Sequence, residues 1–496
     1  MAIPALTRRA LTAQVSAVVV AVLVVLAHAP SFFHRLLDGD EAIYGSIAAL
    51  MNAGGTLYAE GGVDNKPPGI FWVYAATFQL AGPYQMAAVH LVGFLVMAAT
   101  CVLLFIAARW IAGLRAGLLA ALFYGILTGA GNPRLLATNT EVLMMLPLTA
   151  SVLLMIRRQW LWSGALLVAA GAFRQSAAVN VLLMPVAIVL FEPRGRWRRA
   201  SALSAGGLVG GLLAGALILA VTGSLAGFWR WTIGSLYGYA TTNWTPSLLW
   251  LRARDSALPF VIDDVVVWVA ALALALRWKR LPPAERFAVA WLAVSVVGSL
   301  AGGHLSWHYF IQVMGPLALL AALAVDAALE TSRKRWVAGA MIVGLGVPML
   351  AWGAYDVASD PLTYDFSPPI PQHRLVAAYI HDHTQPSDRV FVWGNWPALY
   401  VESDRKMASR FPGFLRGFAR GSGQPPNNWD TTSDVWPLLE ADLAQNPPAL
   451  IVDTAAAGWS DFSMYPMRNY PVLANLVASR YHVVATVDSV VIYARN

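Results

Sequence analysis

Charge is what this 496-residue chain has least of: 12% of its residues are Asp, Glu, Lys or Arg, against roughly 25% in an average soluble domain. Beside 58% hydrophobic residues, that scarcity excludes water as the main solvent. Cysteine is scarcer still. Cys101 stands alone inside an apolar run, which excludes an intramolecular disulfide framework and any thiolate cluster for zinc or iron, and leaves the redox compartment open. Internal repeats and low-complexity tracts are missing too. A net charge of +7 would hint at nucleic acid in a soluble protein, but most basic residues here fall in short clusters between apolar runs and read as topology signals.

What is abundant is hydrocarbon. Apolar runs cover Ala10 to Ala29, Tyr84 to Ala108, Gly117 to Gly131, Glu141 to Ile156, Leu161 to Val179, Val181 to Phe191, Ala202 to Val221, Leu258 to Leu276, Phe287 to Leu300, Tyr309 to Val325 and Trp336 to Trp352. This predicts about eleven spans of a ~30 Å hydrocarbon core. The first follows Arg8 and Arg9 like a signal peptide, but no small-residue cleavage site comes after it, so it reads as a retained span. Arg109 and Arg115, Arg157 and Arg158, Arg194 through Arg199, Arg277 through Arg286, and Arg333 through Arg335 occupy alternate connections. The positive-inside rule makes those connections and the N-terminus cytoplasmic and the C-terminus extracytoplasmic.

The composition changes at the end of the last run. Residues 1–354 read as a transmembrane domain and 355–496 as an extracytoplasmic α/β domain with Pro-rich joints at Ser367-Pro368-Pro369 and Pro425-Pro426. Strands are expected at Arg389 to Gly394, Ala449 to Asp453, His482 to Thr486 and Ser489 to Tyr493, with helices at Gln372 to His383 and Val472 to Arg480.

The few charges left on the outer side carry the chemistry. In the first outer loop, Asp38, Asp40 and Glu41 precede Ile43, Ile47, Leu50 and Met51 at helical spacing, which predicts a short amphipathic helix in the membrane interface. Its acids either cap that helix or, because three carboxylates within four residues repel, leave one poised to accept a proton. Lys66-Pro67-Pro68-Gly69 opens a run to Leu80 that is too short to span, a second interfacial helix. A cation just ahead of a helix N-terminus is electrostatically misplaced unless a phosphate or carboxylate lies beside it; otherwise Lys66 snorkels into headgroups.

Arg174 lies about thirteen residues into the fifth apolar run, ~20 Å along a helix, where a cation costs several kcal/mol unless it meets a wet cavity or an anion. Gln175, Ser176 and Asn180 widen that polar patch. A phosphate would satisfy Arg174, as would a salt bridge to Glu141 or Asp40. Glu141 follows Thr138-Asn139-Thr140 in a capping-box pattern. His304 and His308 could share a helical face, yet two histidines without an acid make a weak metal set; His308-Tyr309 could instead contact a lipid headgroup. Phe228, Trp229, Trp231, Tyr237, Tyr239, Trp244 and Trp250, with Arg230, Arg252 and Arg254, form a loop of interfacial aromatics that could also stack on a sugar or hold a phosphate.

With these residues in place, the sequence resembles a GT-C fold glycosyltransferase of the group containing protein O-mannosyltransferases and the aminoarabinose transferases of lipid A. The matching pieces are Asp40-Glu41 with Tyr44, Lys66-Pro67-Pro68, Glu141, Phe173-Arg174-Gln175, and His308-Tyr309 with Pro316. The resemblance implies a polyprenyl-phosphate-linked sugar donor, a glycan, lipid or protein acceptor on the outer face, and inversion at the anomeric carbon. The family often has lysine where Arg174 stands, which keeps the charge and changes its geometry.

The chemistry of the residues agrees. A phosphate leaving group needs cations, here Lys66 and Arg174, and an acceptor hydroxyl needs a base, here Asp40, with Glu41 and Glu141 orienting the acceptor or supplying a second carboxylate. Arg252, Arg254, His308 and Tyr309 are further candidates for the donor phosphate; Tyr44, Gln175 and Trp244 are candidates for acceptor or sugar. Asp38-Gly39-Asp40 has the DxD form by which nucleotide-sugar enzymes hold a metal, but no nucleotide-binding βαβ unit accompanies it, and metal-independent turnover is expected. The rival expectation is a lipid-linked sugar transporter, against which the charges gather at the outer ends of spans rather than at the midplane.

Overall fold

The structure, a computed structural model, describes residues 5–129, 133–234, 236, 245–330, isolated positions between 336 and 351, 373–413 and 435–496. Most of the run Trp336 to Trp352, both Pro-rich joints, Tyr237, Tyr239 and Trp244 lie outside the described residues. The chain forms two compact units. One comprises Met1–His34, His90–Gly215 and Thr245–Ser359, the other Arg35–Val89, Ala216–Trp244 and Asp360–Asn496.

The first unit is helical, and the protein is a multi-pass membrane protein. Among the described residues, five helices are by themselves long and apolar enough to cross a bilayer: Gln14–Phe32, Met86–Ala112, Arg194–Val221, Pro283–Leu300 and Trp307–Glu330. Shorter apolar helices lie between them at Leu114–Gly129, Thr140–Ile156, Trp160–Gly171 and Gln175–Phe191. Burial separates helices that hydropathy does not. Trp307–Glu330 is 89% buried and Arg194–Val221 only 17%, at mean hydropathies of 1.8 and 2.0. The former is the centre of the core, where Met145, Trp291, Met314 and Leu317 pack together. The latter docks on Trp160–Gly171 through small residues: a Cβ on Gly207 would collide with the Leu161 carbonyl oxygen, and one on Gly211 would lie 2.9 Å from Val168. Glycines four apart let two helix backbones approach in lipid, where hydrophobic burial no longer drives association.

Two expected spans are interrupted. The run Leu161 to Val179 is not one helix: Trp160–Gly171 ends, Arg174 is extended at φ −149 and ψ 135, and a 3-10 helix runs over Gln175–Leu182. Arg174 therefore stands at a break rather than on a helix face. The run Leu258 to Leu276 conceals Asp263 and Asp264, and there Pro246–Asp263 meets Val265–Ala275 at 73°.

The second unit is built on a five-stranded sheet of order β2-β1-β3-β5-β4, with β1 Arg389–Trp393, β2 Lys406–Met407, β3 Leu450–Asp453, β4 Tyr481–Val487 and β5 Val490–Arg495. β1 pairs in parallel with β2 and β3, while β5 runs antiparallel to β3 and β4. Four strands and the helices His373–Asp382 and Pro471–Arg480 fall where the sequence puts them. β2 and the helices Ala398–Glu402 and Val435–Gln445 were not anticipated. The first outer loop belongs to this unit. Its helix Gly39–Asn52 is not amphipathic at a surface: nine of its fourteen residues are buried, against Gly69–Ala81, Ala398–Glu402 and β2.

Candidate active site

In the sheet-bearing unit, the three acids of the first outer loop take different jobs. Asp38 is the N-cap of Gly39–Asn52, its Oδ1 facing the Asp40 amide at 3.5 Å. Glu41 is fully buried, and its Oε2 accepts the Leu37 amide at 2.9 Å, a capping box that reaches one residue further back than usual. Capping thus engages two acids. Asp40 remains partly exposed, 28% at its side chain. Its Oδ2 lies 3.8 Å from Lys66 Nζ and accepts the Tyr44 hydroxyl at 3.3 Å. The anionic neighbour that Lys66 required is this carboxylate. Tyr44 packs edge-on to Phe71 and Tyr74. The Tyr74 hydroxyl is pushed well above the usual tyrosine range by burial and then by the charges of Glu41, Asp38 and Asp40, so it stays a donor.

Lys66 is fixed through its backbone. Its carbonyl accepts the Tyr58 hydroxyl at 2.7 Å and the Thr232 hydroxyl at 3.3 Å, and its amide donates to Asp64 Oδ1 at 2.9 Å. Tyr58 holds a left-handed φ of 65° and packs on Phe71 and Phe228. Such a φ costs of order 1 kcal/mol in a non-glycine residue, and the 2.8 Å bond from Tyr58 N to Gly62 O helps retain it. Sequence reasoning missed Tyr58, Asp64 and Thr232. Asp64 stands two residues from Lys66 and was detectable as an Asx turn; Thr232, 166 residues away, left no local signal.

In the helical unit, Glu141 is buried to 1% and paired with Arg174, Nη1 to Oε1 at 2.7 Å, while Thr140 Oγ1 donates to Oε2 at 2.7 Å. The helix begins after Asn139, whose side chain does not cap it, and Glu141, the acid of the Thr138–Glu141 pattern, is paired with Arg174. Arg174 also donates to Thr140 Oγ1 at 3.3 Å, and its guanidinium carbon lies 3.9 Å from the Tyr309 ring centroid, a close cation–π contact. His308 Nε2 is 3.8 Å from Glu141 Oε1. The Arg174–Glu141 salt bridge, one of the alternatives open for Arg174 in the sequence, is thus formed, and His308 and Tyr309 join it in one cluster. His304 is in the loop before the 3-10 helix Trp307–Phe310, so the two histidines do not share a helical face.

The remaining candidates are placed less centrally. Gln175 opens the 3-10 helix after Arg174, and the neighbouring Ser176 donates to Gln312 at 2.9 Å. Arg252 Nη1 donates to the Gly303 carbonyl at 2.9 Å, bracing the loop ahead of His308. Arg254 is exposed and bonded to its neighbour Asp255. In the aromatic loop Trp229 and Trp250 are 67% and 64% exposed, as belt residues are, whereas Trp231 is buried against Phe411.

Chemically, the sheet-bearing unit offers a partly exposed carboxylate beside a cation, and the helical unit a buried cation with a carboxylate and an aromatic face. Residues 65–222 match the family described as dolichyl-phosphate-mannose-protein mannosyltransferase, a stretch that contains Lys66, Glu141 and Arg174. No curated protein sequence matches the chain. Among solved structures, ArnT from Cupriavidus metallidurans in the apo state is 16% identical with a TM-score of 0.61, over 98% of this chain and 98% of that one. The same protein bound to undecaprenyl phosphate gives 16% and 0.60, over 96% and 97%. The Archaeoglobus fulgidus oligosaccharyltransferase tethered with an acceptor peptide gives 10% and 0.53, over 98% of this chain and 74% of that one. The fold is GT-C, and the resemblance to GT-C fold glycosyltransferases read from the sequence is borne out.

Proposed function

We propose that this GT-C fold glycosyltransferase moves a sugar from a polyprenyl-phosphate donor to a hydroxyl acceptor on the extracytoplasmic side of the membrane, with inversion at the anomeric carbon. The acceptor hydroxyl gives its proton to Asp40 as its oxygen bonds to C1. The bond from C1 to the phosphate oxygen breaks on the opposite face, and polyprenyl phosphate departs with one more negative charge than it had in the donor. Lys66 and Arg174 stabilise that charge, and Tyr309 and His308 support Arg174. The topology follows the basic clusters: N-terminus cytoplasmic, C-terminal sheet extracytoplasmic, in a cell membrane. No metal takes part in this scheme.

The observation that carries the reading is the division of labour among the three acids. Asp38 and Glu41 are engaged by the helix start, while Asp40 is left partly exposed between a lysine and a phenol. A merely capping cluster would not need it. The test is transfer by purified protein from polyprenyl-phosphate sugars to candidate acceptors. Asp40→Asn should lower kcat by about 10²- to 10⁴-fold with donor binding kept, and an unchanged kcat would sink the assignment. One observation favours a transporter: a bent apolar helix pair with Asp263 and Asp264 at its break, of the discontinuous kind found in secondary transporters. Movement of intact donor across vesicles without bond cleavage would establish that reading instead.

A further inference from the structure

The sheet-bearing unit contains a cavity of about 250 Å³ that takes no part in the scheme above. Its walls are the C-terminal end of the helix Gly39–Asn52, the turn at Gly54–Gly55, and residues around Glu60, Arg389, Arg410 and Asp442. Asp40 is at the other end of that helix, ~20 Å away at 1.5 Å per residue. The loop wall is anchored to the sheet side by the Val63 amide, which donates to the Arg410 carbonyl at 3.0 Å. At Gly54, with φ 96°, a Cβ would meet nothing within 4 Å, so the turn opens onto space.

The lining chemistry narrows the ligand. Asp442 is saturated by Arg410: Nη2 to Oδ1 is 2.7 Å, Nε to Oδ2 is 2.9 Å, and the Arg410 amide reaches Oδ2 at 2.9 Å. That pair is a rigid wall and not a free acid. Arg389 donates to the Met407 carbonyl at 3.2 Å, and burial lowers its pKa. With Glu60 also in the lining, the described residues contribute two cations and two anions, which favours no net charge on the ligand. Gln445 adds an amide that donates and accepts, Asn446 adds another whose Nδ2 also donates to the Asp442 carbonyl at 3.4 Å, and among the described residues no aromatic ring lines the space. The polar and charged side chains of the described lining suit a hydroxylated ligand rather than a prenyl tail. A ligand whose neighbouring hydroxyls both donate and accept satisfies every wall, and the volume, below the ~300 Å³ of ordinary ligand pockets, suits one ring.

We propose that this cavity binds one neutral pyranose or furanose unit of a carbohydrate acceptor. The inference rests on the glycosyl-transfer reading and narrows its acceptor to a glycan or glycolipid. The test titrates the full-length protein in detergent with mannose, galactose, arabinose and maltose, and separately with inorganic phosphate, by saturation-transfer NMR and calorimetry. Sugar binding should weaken about tenfold in Asn446→Ala and in Gln445→Ala, one lost hydrogen bond of ~1.4 kcal/mol each, and should survive in Asp40→Asn. In turnover, Asn446→Ala should raise the KM for a glycan acceptor about tenfold. Sugar binding indifferent to both variants, phosphate binding in place of sugar, or no binding at all would overturn the proposal. Sugar binding without any transfer from a polyprenyl-phosphate donor would overturn the enzymatic scheme and leave the cavity assignment standing.

Discussion

Replacing Glu141 by Gln separates two roles for Arg174: strut or phosphate ligand. Arg174 is 8% exposed and Glu141 1%, and they meet at 2.7 Å. Breaking a buried pair by removing one charge costs about 3–5 kcal/mol. The amide of Gln can still accept one bond from Arg174, worth ~1 kcal/mol, so a loss of about 2–4 kcal/mol is expected, read as a fall in the thermal midpoint of the purified protein. If Arg174 holds the donor phosphate, Glu141 competes with that phosphate for the same guanidinium. Neutralising it should then tighten binding of polyprenyl phosphate, by about tenfold for a coupling of ~1.4 kcal/mol. The ligand-induced rise in midpoint should accordingly be larger in Glu141→Gln than in the parent. Arg174→Gln should abolish most of that rise in either background. Equal rises in the parent, Glu141→Gln and Arg174→Gln would refute a phosphate at Arg174 and leave a structural salt bridge.

Much of the fold was legible because hydrocarbon patterning is a one-dimensional signal: a run of about 20 apolar residues must be a span wherever it packs. What patterning could not reveal is which span lies at the centre, since Trp307–Glu330 and Arg194–Val221 have similar hydropathy and opposite burial. Nor could it find the break at Arg174, because Phe173, Ala177 and Ala178 continue the apolar run through a stretch whose backbone is not α-helical. The short β2 strand, two residues long, is too brief for any alternation to register. The site residues were legible for the opposite reason. Charge is so scarce that each polar residue on an outer loop stood out, which found Asp40, Lys66, Glu141 and Arg174 and offered carboxylate partners for both cations, without deciding between a carboxylate and a phosphate. Groups that work through the backbone, such as Tyr58 on the Lys66 carbonyl, look like ordinary belt aromatics in sequence.

Four further outcomes are expected. Tyr58→Phe removes a 2.7 Å bond to the Lys66 carbonyl and should cut kcat/KM about fivefold, for ~1 kcal/mol, in a transfer assay. Gly207→Val should force the helices Trp160–Gly171 and Trp197–Val221 apart at the Leu161 carbonyl and lower the thermal midpoint by the equivalent of about 1–3 kcal/mol. Turnover should persist in excess EDTA; collapse restored by Mg²⁺ or Mn²⁺ would disprove the metal-free scheme. The last concerns pH. Asp453, at the end of β3, is pushed up to about 6 by burial, against the opposing effects of the Ala455 amide and Arg468. An acid whose pKa is higher folded than unfolded binds more protons in the folded state, so stability falls as pH rises from about 4 to about 6. At pH 8 the buried charge should cost about 3 kcal/mol. Asp453→Asn, which can still accept the Ala455 amide, should therefore raise the thermal midpoint at pH 8 and leave it unchanged at pH 4; an equal shift at both values would show that packing, not charge, sets the cost.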